Sequence, residues 1–182
     1  MLHDDEPPAW EVINAQGSSR LVLVCDHASP TAPLRLQNLG ITEEQLTDHI
    51  GWDGGAADVA RNLSARLQAP LLLTNYSRLV IDCNRPLENK DSIPEQSDGI
   101  TIPGNTNLTR EQRIERQSQL FHPYHQDIET LVDERLTENP VMFFYSSIRL
   151  YRCFSGFLTT FRIHSSRISG RSARKWTPMV GQ

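Results

Sequence analysis

The sequence predicts an α/β protein, a three-layer α/β/α sandwich around a mostly parallel sheet. Three observations predict it. "LVLVC" (21–25) is an unbroken apolar run closed by "DHASP", which marks a strand buried on both faces, because a strand with one wet face would alternate. Segments of helical apolar spacing alternate with runs of this kind along the chain, the rhythm of βαβ units. The 182 residues, 38% hydrophobic and 22% charged, suffice for one globular domain with a full core.

Taken in order, Leu21 to Cys25 is the first strand. Thr42 to Ile50 reads as a short helix, with "TEEQ" supplying a threonine cap and a glutamine three residues on. From Asp53 to Leu67, Ala56, Val59, Ala60, Leu63 and Leu67 form one apolar stripe at helical spacing. "PLLLT" (70–74) and "LVIDC" (79–83) read as further strands. A long helix begins at Thr109 with a second capping box, "TREQ", and Pro123 kinks or divides it. "PVMFFY" (140–145) is another strand. Between them, 84–108 is rich in Pro, Gly, Asn and Asp without periodicity, and a loop of that length in a compact domain is usually functional.

Composition narrows the class. No charged-then-apolar leader and no apolar run near the roughly 20 residues of a membrane span is present, so a cytoplasmic protein is expected. Cys25, Cys83 and Cys153 are odd in number and widely spaced, which fits reduced, buried thiols better than a disulfide framework or a cysteine zinc site. The net charge of −4 hides a division: residues 1–147 carry all 22 acidic and 11 basic residues, while 148–182 carry seven basic residues and no acid. A basic tail of this kind can mark a nucleic-acid binder.

The candidate site lies at strand ends. In open α/β sheets ligands bind in the crevice outside the carboxyl ends of the strands. Asp26 and His27 end the first strand, Asp53 opens the following helix, and Asn84 and Arg85 follow "LVIDC", with Arg78 just before it. A histidine and a carboxylate suit zinc, and a guanidinium suits a carboxylate ligand. Each residue also has an ordinary role: Asp26 in a turn, Asp53 as a helix cap, the arginines on the surface. Two ligands are one short of a catalytic zinc site.

"VCDHAS", "DHIGWDGGAADVARNLSARLQAPLL", "YSRLVIDCNRP", "IPGN" and "FHPYHQDIETLVDERL" resemble, in order and over Leu21 to Leu136, the motifs of the N-formylglutamate amidohydrolase family. The resemblance implies a zinc-dependent amidohydrolase with a fold similar to zinc exopeptidases and amidases, whose named activity removes formate from N-formyl-L-glutamate in histidine degradation. It implies His27 and Asp53 as metal ligands and Arg78, Asn84 and Arg85 as substrate-binding residues. It also implies Asp26 and His125 as catalytic-site residues, with Asp26 orienting His27. The implied partner is a small N-acyl amino acid, not nucleic acid and not a membrane.

The departure falls where the charge changes. After a strand like "PVMFFY" the family is expected to read H-S-F-T-P, with that histidine as third ligand, whereas this chain reads "SSIRLYRCF". Codons for I-H-S-F-I-P-V-F, read one base late, give Ser147-Ile148-Arg149-Leu150-Tyr151-Arg152-Cys153-Phe154. On this reading 1–147 is an incomplete family domain and 148–182 is an out-of-frame basic tail. Such a tail would be poorly ordered beyond about 156–163 and would not complete the sheet. An inactive, truncated remnant is then the alternative to an active enzyme.

Overall fold

The computed structural model describes residues 1–19, 21–138, 141–146, 149–154 and 157–162, with side chains described as far as residue 135. Its main sheet has six strands: β1 (Trp10–Ile13), β2 (Leu21–Cys25), β3 (Leu71–Thr74), β6 (Val141–Ser146), β7 (Arg149–Phe154) and β8 (Phe157–Arg162), in the order β1-β3-β2-β6-β7-β8. A two-stranded hairpin, β4 (Gln96–Ser97) with β5 (Ile100–Thr101), stands apart from it. Only β3-β2 and β2-β6 are parallel, while β1-β3, β6-β7 and β7-β8 are antiparallel. The sheet is therefore mixed, not mostly parallel. Two-residue gaps join β6 to β7 and β7 to β8, and connections that short can only reverse the chain. Two of these strands, β7 and β8, come from the basic segment and end at Arg162, within the 156–163 limit expected for its order. The remainder of that segment, 163–182, lies outside the described residues.

Helices cover both faces at β2. Leu23, Cys25, Leu71 and Leu73 pack with Ala56, Ala60 and Leu63 of α2 (Ala56–Leu67). Val22, Val24 and Leu72 pack instead with Tyr124, Ile128 and Val132 of α4 (His122–Glu138). Successive residues of β2 thus feed opposite cores, which is why the run is apolar without alternation. The chain leaves β2 through α2 to β3 on one side and returns through α4 to β6 on the other. The strand order reverses at β2, and the crevice beyond its carboxyl end is the topological switch point.

Both capping boxes are present. Thr42 caps α1 (Glu43–Leu46) with Gln45, and Thr109 caps α3 (Arg110–Arg116) with Gln112. The predicted break at Pro123 takes the form of a widened turn, with Gln117–Phe121 π-helical and His122 N–H donating to Gln117 O. Proline lacks the N–H that the tighter ladder would use, so the turn before it loosens.

One predicted strand is absent. Leu79, Val80, Ile81, Asp82 and Cys83 are all buried, as in a strand, yet they lie in turns and irregular backbone. Their polar groups are satisfied elsewhere: Val80 N–H donates to Ser77 O, Asp82 N–H to Ser92 O, and Leu79 O accepts from Asn105 Nδ2 at 2.8 Å. Arg116, 2% exposed, donates from Nη1 to Val80 O and Asn105 Oδ1 and from Nη2 to Gly104 O, at 2.8, 2.7 and 3.0 Å. Burial pushes its pKa down to about 10, the like charge of Arg113 adding to the effect and Glu115 opposing it. The long loop is thus the lid of a third core, in which Ile93 and Ile102 pack with Leu39, Ile50 and Ile81.

Candidate functional site: a histidine between two carboxylates

His27 leaves the end of β2 almost fully buried. Its backbone is fixed by Asp53 N–H, which donates to His27 O at 3.1 Å, and by Thr74 Oγ1, which donates to Asp26 O at 2.8 Å. The ring lies between two carboxylates, with Nδ1 3.3 Å from Asp53 Oδ2 and Nε2 2.9 Å from Asp82 Oδ1. Burial is the largest influence on its charge and opposes it. The hydrogen bonds to Asp53 and Asp82, with the charges of Asp82 and Asp26, outweigh burial and raise the pKa to about 9. As an imidazolium, both ring N–H groups donate to carboxylates. Asp53 is held below the usual carboxylate range by the same His27 hydrogen bond, with the His27 and Arg78 charges adding.

Asp53 is available for this because it does not cap the helix. The residue before α2 is Gly55, in the left-handed region at φ 81°, with no side-chain cap, and Asp53 contributes only its carbonyl, to Ala56 N–H. Close approach also fixes the segment leading to Asp53. A Cβ on Gly51 would overlap the carbonyl of Leu46, and Ser77 Oγ donates to Gly51 O at 2.7 Å.

Arg78 is the more tightly held of the two arginines at the site. Nε donates to Ile50 O at 2.9 Å, Nη1 donates to Asp53 Oδ1 at 3.1 Å, and Nη2 donates to His49 O. Nη1 also lies 3.3 Å from His27 Nδ1, so the guanidinium occupies the angle between ring and carboxylate. Arg85 differs. Its Nε is 3.6 Å from Asp82 Oδ2 and its side chain is 40% exposed, which leaves donors for a ligand. Asn84 N–H donates to Asp82 Oδ1 at 2.8 Å, while Asn84 Oδ1 is a buried oxygen with no hydrogen-bond partner among the described residues. A cavity of about 350 Å³ opens beside Asp53, between Val24 and Cys25 of β2 and the Gly54-Gly55 entry to α2.

The structure therefore brings His27, Asp53 and Arg78 into direct contact, with Asp82 joining the ring to Asn84 and Arg85. It places the remaining two residues differently from the sequence reading. The carboxylate on His27 Nε2 is Asp82, which the reading did not single out, while Asp26 Oδ1 accepts from Tyr124 Oη at 2.8 Å. The signal for Asp82 was an aspartate inside an otherwise apolar, buried run, where a charge must find a partner. His125 faces the backbone, its Nε2 2.9 Å from Cys83 O.

Two donors each ~2.0–2.2 Å from a tetrahedral zinc lie about 3.3–3.6 Å apart. His27 Nδ1 and Asp53 Oδ2, at 3.3 Å, match one edge of such a site. The chemistry fits as well, an imidazole nitrogen oriented through its other nitrogen by Asp82. Among the described residues no cluster of three His, Cys, Asp or Glu is arranged to hold a metal ion. β6 runs parallel to β2 with Leu23 opposite Tyr145, so its carboxyl end reaches the same edge of the sheet as His27.

Switch-point topology and a buried histidine between carboxylates at the strand ends define an α/β protein with an enzyme-type crevice. The family model of N-formylglutamate amidohydrolase matches residues 19–169, and the chain belongs to that amidohydrolase family. Among solved structures it is similar to the gene product Atu2144 from Agrobacterium tumefaciens, at 36% identity and a TM-score of 0.77. The match covers 80% of this chain and 57% of that one. The chain thus spans little more than half the length of that relative. No curated protein sequence matches it. Among the described residues no helix is long and apolar enough to cross a membrane.

Proposed function

We propose that the chain carries the metal-binding and substrate-binding residues of a zinc-dependent hydrolase acting on the amide bond of N-formylglutamate or a similar N-acyl amino acid. The observation that carries this reading is the His27 Nδ1 to Asp53 Oδ2 edge, with Asp82 fixing the opposite ring nitrogen. His27 and Asp53 hold the metal, which when bound supplies an activated water and polarises the amide carbonyl. Asp82 keeps a proton on Nε2 and so presents the Nδ1 lone pair to the crevice. Arg85, with its half-exposed guanidinium, takes a substrate carboxylate. Asn84 Oδ1, without a partner among the described residues, is an acceptor for the substrate N–H.

A second reading, a non-catalytic remnant, is favoured by one observation: the described residues supply two metal donors and no third. One experiment separates the two readings. Zinc content and formate release from N-formyl-L-glutamate are measured for the chain as given, for His27→Ala, and for a version with the reading frame restored from residue 147. Zinc and formate release in the given chain, both lost in His27→Ala, support the enzyme. Zinc and turnover only in the frame-restored protein support the remnant. Zinc content unchanged by His27→Ala in both backgrounds overturns the site.

A further inference from the structure

Three dipeptides close a ring around the site. Asp26-His27 ends β2, Asp82-Cys83 lies in the buried loop, and Tyr124-His125 sits on α4. Three hydrogen bonds join them: Tyr124 Oη donates to Asp26 Oδ1 at 2.8 Å, His27 Nε2 meets Asp82 Oδ1 at 2.9 Å, and His125 Nε2 donates to Cys83 O at 2.9 Å. Adjacent residues on a helix point about 100° apart, so one turn of α4 reaches both the strand end and the loop. Tyr124 is 1% exposed, and a phenylalanine would fill its place without needing a polar partner. Cys83 lies outside any strand ladder, and its carbonyl finds its donor in His125. The Tyr124 hydroxyl and the His125 ring are thus directed at the two residues that flank the His27–Asp82 pair.

We infer that Tyr124 and His125 are a positioning pair, which clamps the strand end and the loop so that Asp82 fixes the His27 ring with Nδ1 towards Asp53. The inference rests on the reading of His27 as a metal ligand. His125 touches no reacting group in this arrangement, so its part is to hold Asp82 in register. Groups that orient a metal-bound histidine typically alter metal affinity about 10–100-fold when removed, and that is the size of effect to be read.

Four variants carry the test: Tyr124→Phe, His125→Leu, His125→Gln, whose amide nitrogen reproduces the Nε2 donor, and Ser64→Ala. The last removes an equally buried hydrogen bond, to Ala69 O at 2.7 Å, at the far end of α2. Zinc affinity is read by competition with a chromophoric chelator. In the zinc-free protein the His27 Nε2–H proton is followed by NMR for protection from solvent exchange. Tyr124→Phe and His125→Leu should each weaken zinc binding at least tenfold and expose the proton to exchange. His125→Gln should stay within about threefold of the parent, on the scale of those effects, and Ser64→Ala should change neither readout. If His125→Leu does not fold, the isosteric Tyr124→Phe decides. Unchanged affinity and proton protection in Tyr124→Phe, or a His125→Gln protein as impaired as His125→Leu, would overturn the clamp. A parent that binds no zinc but protects the proton overturns the metal reading and leaves the clamp to be judged on the proton alone. A parent that protects no proton overturns the clamp.

Discussion

Replacing Arg116 by methionine tests whether the buried loop is held from beneath by one side chain. The methionine keeps most of the volume and removes every donor. Val80 O, Asn105 Oδ1 and Gly104 O then lose partners at 2.7–3.0 Å, and a buried acceptor left without a partner costs about 1–3 kcal/mol. Against this stands the return of the guanidinium's desolvation, several kcal/mol for a buried ion and visible here in the depressed pKa. The net expectation is a loss of about 2–4 kcal/mol, or roughly 5–15 °C in Tm for a chain of this size. Urea and thermal unfolding give the value. Hydrogen exchange gives the place, since Asp82 N–H, bonded to Ser92 O, should lose protection before the amides of β2 and β3. Arg116→Lys, with charge but no fork, should fall between methionine and parent. A methionine variant as stable as the parent to within about 0.5 kcal/mol, a shift usual for surface changes, would refute the reasoning and show that solvent reaches the loop carbonyls.

Four further outcomes are expected. His49 is held above its ordinary pKa first by the hydrogen bond from its ring to Asp48, with the Asp48 charge and Asp98 adding, so Asp48→Asn should lower its NMR titration midpoint. Because the folded value is the raised one, the tether from His49 to Asp98 on the β4–β5 hairpin holds below pH about 6.5 and weakens as pH rises through that folded value. Hairpin amide protection, corrected for intrinsic exchange, should fall in that window, and protection flat across it would refute the tether. Gly51→Ala, which forces a Cβ against the Leu46 carbonyl, should destabilise by about 1–3 kcal/mol or more, measured by urea unfolding. In a protein with measurable turnover, Arg85→Ala should raise KM for acidic N-acyl substrates far more than for their amide analogues, and an equal effect on both would remove its assigned role.

The legible parts of the fold were those where local pattern and tertiary demand agree. Leu21–Cys25 and Leu71–Thr74 are apolar because α2 and α4 cover both faces, and Thr42 and Thr109 declare their helices through local hydrogen bonds. Leu79–Cys83 was misread because burial, not strand geometry, sets its composition: a loop whose carbonyls are met by Asn105, Arg116 and His125 reads like a strand. The short edge strand β1 and the hairpin at Asp98-Gly99 carried only faint signals, four residues and a two-residue turn. For the site, His27 and Asp53 were findable from their place at strand and helix ends. Asp82 was hidden inside the misread run, since a partner 55 residues away leaves no local trace.

The lodging of Arg78 between His27 and Asp53 has a consequence for how such a site is assembled. Clusters that depend on a metal to cancel their charge are built only as fast as the ion arrives, and chelation takes the fold with it. Here the guanidinium is a resident counter-ion, anchored by the carbonyls of His49 and Ile50, so the carboxylate and ring are aligned and compensated by the chain itself. On the proposed reading, loading a dication would be an exchange of cations and not an act of folding. On that same reading, the shape of the crevice would belong to the polypeptide before any ion reaches it.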